Sequence, residues 1–385
     1  MLNEYSTKTE SLVLKYDLDF PDRGSSMVRS INFAAGPATL PTEVLEHARS
    51  EFLDYQQTGM SIMEMSHRGP EFREVLAKAE SDFRSLLAIS NDYHVLFLQG
   101  GATAQFAGVP MNLAREHRRT DYLDTGSWSR KAIKEAGAFS DVHTVATSEE
   151  ASYHHIPPEG EWDIREETSY VHICSNETIG GLQFKKFPKL EVPLVADMSS
   201  DILSREIEMD EFGAIYAGAQ KNIGPAGLAL VVVRKDLLVK NNNSIPSFLD
   251  YSLQAEADSM LNTPPTFTIY LAGLVFDWLR KKGGLPVIEK ENEHKAGLIY
   301  DVIERGDFYS CPVDPAFRSS MNIPFRLKVK ELEAIFLERA EKAGLFNLKG
   351  HRSVGGMRAS IYNAVPVSWV EELGKFMNDF ENEYG

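Results

Sequence analysis

Apolar positions along the chain follow two periods, and they trade places in a regular order. Val44, Leu45, Ala48, Phe52 and Tyr55 sit at helical spacing and predict a helix over 42–57. A second helix is predicted over 70–88, with Pro70 at its first position and Phe72, Val75, Leu76, Ala79, Phe83 and Leu86 on one face. Short, almost wholly apolar runs follow at 93–98, 120–124, 141–146, 169–174, 192–197, 212–217 and 227–233, with helical stretches such as 127–137 between some of them. Strands buried on both faces and separated by helices predict an α/β fold with a mostly parallel seven-stranded sheet flanked by helices. Beyond about residue 285 the pattern changes. Amphipathic helices at 290–305, 328–343 and 367–384 alternate with strands near 322–327 and 357–362, which predicts a smaller C-terminal α+β domain. The expected division is an N-terminal extension over 1–30, a large domain over 31–285 and a small domain over 286–385. "GLP" at 284–286 marks the boundary, and the opening residues of the large domain are expected to pack with the small one.

Charge narrows the function. The 385 residues carry a formal net charge of −16, which argues against a nucleic-acid or anionic-membrane partner, since both require basic surface. No apolar run reaches the ~20 residues that a membrane helix needs, and the longest candidate, 266–279, contains Asp277. Cys174 and Cys311 form no metal-ligand spacing and no disulfide framework, so no metal site and a reducing, cytoplasmic setting are expected. Residues 1–26 are polar and of mixed charge. Glu4, Glu10, Asp17 and Asp19 argue against a transit peptide, and Met27 followed by "VRSINF" reads as a sensible start for the folded part.

Ligands of open α/β sheets bind beyond the carboxyl ends of the strands, so the residues just after each run carry the chemistry. They are "QGGATAQF" (99–106), "TGSWS" (125–129), "SNETIGG" (175–181), "VADMSSD" (195–201) and "GAQKNIGPAG" (218–227). Asp197 ends one strand and Lys221 follows the next. A lysine that forms a Schiff base with an aldehyde, and an aspartate that keeps a pyridine nitrogen protonated, are the two groups a pyridoxal 5'-phosphate site requires. Taken alone, Lys221 reads as a solvated turn lysine and Asp197 as a turn or helix-cap residue; the pair in this strand context reverses that reading. Small residues in "QGGATAQF" open a helix whose N–H groups can cradle phosphate, and the segment is neither a Walker loop nor a dinucleotide fingerprint. Trp128 can stack on a pyridine ring or fill a core, and Thr178 can reach the ring edge.

Two basic clusters stand out against the acidic background. "SHRGPEF" (66–72) places His67 and Arg68 before a helix, and "KGHRSVGGMRAS" (349–360) brings Lys349, His351, Arg352 and Arg358 close together. Guanidinium forks bind carboxylate and phosphate oxygens bidentately, so these clusters read as sites for an anionic substrate.

From about Ile31 to the C-terminus the sequence resembles the phosphoserine aminotransferases, a family of fold-type I pyridoxal-phosphate enzymes. "NFAAGPATLP", "SHRGPEF", "SNETIGG", "GAQKNIGPAG", "NTPPTF" and "GHRSVGGMRASIYNA" are like the family's motifs and stand in the same order. The resemblance implies that Lys221 carries the cofactor and Asp197 pairs with its ring nitrogen. It implies that Trp128 stacks on the ring, that Thr178 bonds at its edge, and that Ala102, Thr103 and Gln220 hold its phosphate. It also implies a homodimer in which Asn262 and Thr263 reach that phosphate from the other subunit. His67 and Arg68 are then expected at the substrate's distal anion, His351 and Arg352 are expected to arrive from the neighbour, and Arg358 to take the α-carboxylate. Many members carry an arginine where this chain has Thr103, which leaves open how the substrate phosphate is held.

The implied reaction is a reversible ping-pong transfer of an amino group from L-glutamate to 3-phosphohydroxypyruvate. Its products are 2-oxoglutarate and O-phospho-L-serine, for serine biosynthesis. Family members also act on a phosphorylated hydroxythreonine of pyridoxine biosynthesis. The nearest rival is another fold-type I enzyme, such as a serine– or alanine–glyoxylate aminotransferase, whose small substrates need no distal basic cluster. A nucleotide-binding dehydrogenase would carry the glycine fingerprint that this chain lacks, and a catalytically dead scaffold would have no use for the Asp197–Lys221 pair.

Overall fold

The central element is a seven-stranded sheet made of β1 (Tyr93–Gln99), β2 (Arg119–Asp124), β3 (Asp141–Thr147), β4 (Val171–Cys174), β5 (Leu194–Asp197), β6 (Phe212–Gly218) and β7 (Leu228–Arg234). The structure is a computed structural model that describes residues 29–114, 117–238 and 245–385. Strand order across the sheet is β1-β7-β6-β5-β4-β2-β3, with every neighbouring pair parallel except those involving β7, which runs antiparallel to both β1 and β6. The apolar runs thus become a mostly parallel sheet, as their lack of polar alternation predicts.

Side chains alternate across the strands and feed two cores. Leu228, Leu230 and Val232 of β7 face one core together with Phe97, while Val231 and Val233 face the other with Leu96 and Leu98. The first core takes in helices α1 (Thr42–Ser50), α2 (Pro70–Leu86) and α6 (Thr266–Lys281). The second takes in α3 (Gly101–Leu113) and α4 (Ser127–Ala136), with Tyr251 from the short helix α5 (Tyr251–Glu256).

The predicted helix over 42–57 ends at Ser50. Leu53 is 81% exposed, and Gln56 and Gln57 adopt positive φ, so the apolar positions beyond Ser50 lose their helical phase. The turn is built by polar residues: Asp54 Oδ1 accepts from the Gly59 N–H at 2.7 Å, and the Thr58 hydroxyl donates to the Tyr55 carbonyl at 2.7 Å.

A third core holds α7 (Leu285–Glu304), α8 (Leu332–Lys342), α9 (Val367–Tyr384) and the antiparallel strands β8 (Tyr309–Ser310), β9 (Asn322–Leu327) and β10 (Met357–Ser360). Gly284 at φ +76° precedes α7, whose first turn contains Pro286. Ile31–Asn32 pairs in parallel with Leu345–Phe346, and Phe33 is fully buried in this third core. Ile31–Gly385 forms one compact unit. Residues 1–28, most of the expected N-terminal extension, lie outside the described residues. Among the described residues no helix is long and apolar enough to cross a membrane, and no cluster of metal-ligating side chains occurs.

Candidate active site

The parallel strands end on one edge, and their registers align the site. Cys174 at the end of β4 faces Asp197 at the end of β5, and Asp197 in turn faces Tyr216 of β6. Just beyond that edge lies a cavity of about 360 Å³ lined by Gly100–Thr103, Trp128, Thr178, Asp197, Ser199 and Gly218–Lys221, among others.

Lys221 sits in a tight turn after β6. The Gly224 N–H closes it by donating to the Ala219 carbonyl at 2.8 Å. The lysine is buried, and its Nζ donates to Thr178 Oγ1 at 2.6 Å and lies 5.6 Å from the centre of the Trp128 ring. Burial pushes the Lys221 amine down from its ordinary range, while Asp197 pulls it back up. An amine so placed is more readily deprotonated, as a nucleophile or general base must be.

Asp197 is buried, and burial pushes its carboxyl up; hydrogen bonds from Ser199 and the charge of Lys221 oppose this. The Ser199 N–H donates to Asp197 Oδ1 at 2.9 Å and the Ser199 hydroxyl donates to it at 2.5 Å. The same hydroxyl accepts the Gly218 N–H at 3.0 Å, which ties the end of β6 to the aspartate. Among the described residues Oδ2 receives no hydrogen bond.

One end of the cavity is formed by the first turn of α3. Gly100 caps it at φ +94°, where a Cβ would come within 2.6 Å of Ala104 Cβ. Among the described residues no side chain caps this 13-residue helix, so its first N–H groups, which border the cavity at Ala102 and Thr103, are left for an anion. Gly218 allows the close approach: a Cβ there would lie 3.2 Å from the Ala102 nitrogen.

These features fit pyridoxal phosphate. An anion cradle, a buried amine, a buried carboxyl with one oxygen unengaged and an indole all border one cavity. Trp128 Nε1 has no hydrogen-bond partner among the described residues, which leaves the ring held by packing, as a stacking residue can be.

Of the residues singled out from sequence, Ala102, Thr103, Trp128, Thr178, Asp197, Gln220 and Lys221 come together here. Arg358 joins them from β10: its Nη1 donates to the Thr178 carbonyl at 3.5 Å, and its Nε is buried without a partner among the described residues. His351 and Arg352 are exposed on the loop before β10, and His351 Nδ1 is 2.7 Å from the Ser353 hydroxyl. Burial, Arg358, Arg352 and Lys131 all lower the basicity of His351, so His351 already lies in the field of its own chain's site. Asn262, Thr263, His67 and Arg68 do not line the cavity within the chain. Asn262, Thr263 and Arg68 are exposed, the Thr263 carbonyl accepts from Gln99 Nε2 at 2.7 Å, and His67 Nε2 is buried without a partner among the described residues.

Three contributors escaped the reading of the sequence. Ser199 stands two residues after Asp197, the spacing of an aspartate turn. Glu177 stands beside Thr178 and binds the start of α4. Lys131 lies one helical turn after Trp128, and its ammonium is 4.2 Å from the centre of that ring.

The aminotransferase class-V family profile matches residues 30–373, and the chain belongs to the class-V aminotransferases. Within that class it is similar to phosphoserine aminotransferases. The one from Laribacter hongkongensis (strain HLHK9) is 54% identical over 355 residues, covering 92% of this chain and 99% of the relative. Among solved structures, the phosphoserine aminotransferase from Bacillus circulans subsp. alkalophilus superposes with a TM-score of 0.91 at 49% identity, covering 93% of this chain and 99% of that one. The PLP-bound phosphoserine aminotransferase from Trichomonas vaginalis gives a TM-score of 0.87 at 40% identity, covering 91% and 100%.

Proposed function

We propose that this chain is a pyridoxal-phosphate-dependent phosphoserine aminotransferase, which moves an amino group from L-glutamate to 3-phosphohydroxypyruvate and serves L-serine biosynthesis. The observation that carries the reading is the buried Lys221 amine, which meets Thr178 and faces Trp128 in a cavity floored by Asp197. Similarity over nearly the full length to phosphoserine aminotransferases, one of them solved with PLP bound, supports it.

Each residue has a task. Lys221 would hold the cofactor covalently, and the first turn of α3, with Gln220, would hold its phosphate. Trp128 would press on one face of the ring, Thr178 would bond at its edge, and Asp197 would keep the ring nitrogen protonated. Bound there, the cofactor supplies an aldehyde that takes up the amino group and a ring that draws in electrons released at the substrate's α-carbon. Lys221, once its Nζ is free, takes the proton from that carbon as general base and returns it on the other side of the transfer. Its lowered basicity suits both directions. Thr178 Oγ1, at 2.6 Å, steadies the amine between the two.

The substrate is fixed by cations. Arg358 would take the α-carboxylate, since its guanidinium borders the site with Nε unpaired among the described residues. His67, Arg68, His351 and Arg352 would hold the distal group. The γ-carboxylate lies at the far end of five-carbon glutamate and the phosphate ester at the far end of three-carbon 3-phosphohydroxypyruvate, so one set of charge-assisted contacts serves both substrates in turn. The exposure of Arg68, Asn262 and Thr263 supports a homodimer in which a second copy brings these residues to the site. A cytoplasmic location is in keeping with two unpaired cysteines. The phosphorylated hydroxythreonine derivative of pyridoxine biosynthesis would fit the same charges.

Initial rates at several fixed concentrations of each substrate test the reading. Parallel double-reciprocal lines are expected, because the amino group rests on the enzyme between substrates. Intersecting lines would contradict it.

A further inference from the structure

The basic side chains around the cavity are short of partners. Arg358 Nε is buried and unpaired among the described residues, and His351 makes its hydrogen bonds within its own loop. Lys131 completes the pattern. It stands three residues after Trp128 in α4, which places both side chains on one face of the helix. Its ammonium rests 4.2 Å from the centre of the Trp128 ring, a cation–π distance, and among the described residues no carboxylate pairs with it. Its charge also reaches the loop before β10, since Lys131 joins Arg358 and Arg352 in lowering the basicity of His351.

Lys131, Arg352 and Arg358 all act on the one imidazole of His351, and three such cations drawn toward one place oppose one another. In a chain of net charge −16 a carboxylate could easily have been set among them. Their convergence without a counter-ion among the described residues is what a site for a multiply charged anion requires. Thr103, on the α3 side of the cavity, adds no charge, so the positive pole has to come from elsewhere.

We infer that Lys131 is a substrate-binding residue: its ammonium, steadied over Trp128, joins His351 and Arg352 in holding the distal phosphate of the substrate. The inference rests on the functional reading above and deepens it. Lys131 contributes charge to a group that is dianionic in the phosphorylated substrate and monoanionic in glutamate. It therefore favours the phosphorylated partner. The alternative is that Lys131 lays its stem on the indole and leaves its head in water, as surface lysines commonly do.

Two variants separate these roles. Lys131→Met keeps an apolar stem on the Trp128 ring and removes the charge, and Lys131→Arg keeps the charge. Holoenzyme with full cofactor occupancy is assayed for KM with 3-phosphohydroxypyruvate and with glutamate. Binding of 3-phosphoglycerate and of glutarate, neither of which can be transaminated, is measured by calorimetry. In Lys131→Met, the KM for 3-phosphohydroxypyruvate and the Kd for 3-phosphoglycerate are expected to rise roughly tenfold, the size of one charge-assisted contact. Glutamate and glutarate should change less, and Lys131→Arg should restore phosphate binding. By nuclear magnetic resonance, the His351 imidazole should become more basic in Lys131→Met, since a neighbouring positive charge is gone. Turnover of 3-phosphohydroxypyruvate with unchanged KM and unchanged 3-phosphoglycerate binding in Lys131→Met overturns the inference alone. Wild-type enzyme that does not turn over 3-phosphohydroxypyruvate overturns the functional reading and the inference with it.

Discussion

Glu177 holds Trp128 by its main chain. The Trp128 N–H donates to Glu177 Oε2 at 2.9 Å, and the Ser129 N–H donates to Oε1 at 2.9 Å. The carboxyl is buried, which pushes it toward its neutral form, and the two N–H donors oppose that shift. It therefore acts as a remote cap for α4, where a negative charge also meets the positive end of the helix. Gly126 makes the approach possible, because a Cβ there would fall 2.7 Å from Glu177 Cδ. One short hairpin thus serves two contacts in succession: Glu177 fixes the indole and Thr178 receives Lys221.

Replacing Glu177 with Ala removes the acceptor of both N–H groups, that of Ser129 being buried, which costs about 1–3 kcal/mol of stability. Trp128 loses its fixed origin, so cofactor retention weakens as well. Glu177→Gln keeps one oxygen acceptor and should fall between the two. Denaturant unfolding and cofactor dissociation measured on all three proteins check the order; equal cofactor retention in Glu177→Ala and wild type would count against the linkage.

Lys221→Ala should fold, since the lysine's hydrogen bond to Thr178 is its one direct polar side-chain contact among the described residues. It should have no measurable turnover, and its visible spectrum with added cofactor should match that of the free aldehyde rather than of the wild-type holoenzyme. A wild-type spectrum in the variant would remove Lys221 from its role.

Asp197→Asn keeps the shape of the side chain and removes its charge. Electrostatic stabilisation of this kind is worth roughly 10²–10³ in rate, so kcat should fall by about that factor while the protein still binds cofactor. A kcat within severalfold of wild type would show that the ring nitrogen is not held by this carboxyl.

His172 gives a pH signature to stability. It is fully buried and stacked on Tyr122, with ring centres 4.7 Å apart, and its Nε2 meets the Tyr216 hydroxyl at 2.8 Å. Burial pushes its pKa down from 6.5 to about 3. Below pH 6.5 the unfolded chain takes up a proton that the folded chain refuses, so the stability present above 6.5 is lost progressively as the pH falls toward 3. Replacing His172 with Phe should flatten the fall between pH 6.5 and 5 in denaturant midpoints. Parallel curves for wild type and variant would refute the assignment.

Hybrid dimers test where Arg68 acts. Arg68 is exposed and does not line the cavity of its own chain, whereas Lys221 does. Lys221→Ala and Arg68→Ala proteins, each impaired, are mixed, unfolded and refolded together. If a second copy supplies Arg68, half of the sites in a hybrid combine an intact lysine with an intact arginine, and activity returns. Continued inactivity of the mixture would place Arg68 elsewhere.

The sheet was readable from sequence because its strands are buried on both faces, so β4 to β7 appear as largely apolar runs. The cavity followed from topology: Asp197, Thr178 and Lys221 lie at or just past strand ends, and parallel strands end on a common edge. The helix over 42–57 was overextended because periodicity alone does not register a polar turn, and Asp54, Thr58 and Gly59 end it. Glu177 and Lys131 were missed for a different reason. Their meaning lies in contacts made across the chain or around a helix turn, with Trp128 in both cases, and neither residue type is unusual where it stands.

The central claim is the pairing of a cofactor lysine with a positive pole for a phosphorylated substrate. Its most direct test is the ratio of kcat/KM values, with glutamate as donor, for 3-phosphohydroxypyruvate against glyoxylate and pyruvate as acceptors. Two or more charge-assisted contacts to the phosphate predict a preference of about a hundredfold or greater for the phosphorylated acceptor. Equal or better use of glyoxylate or pyruvate would contradict the account.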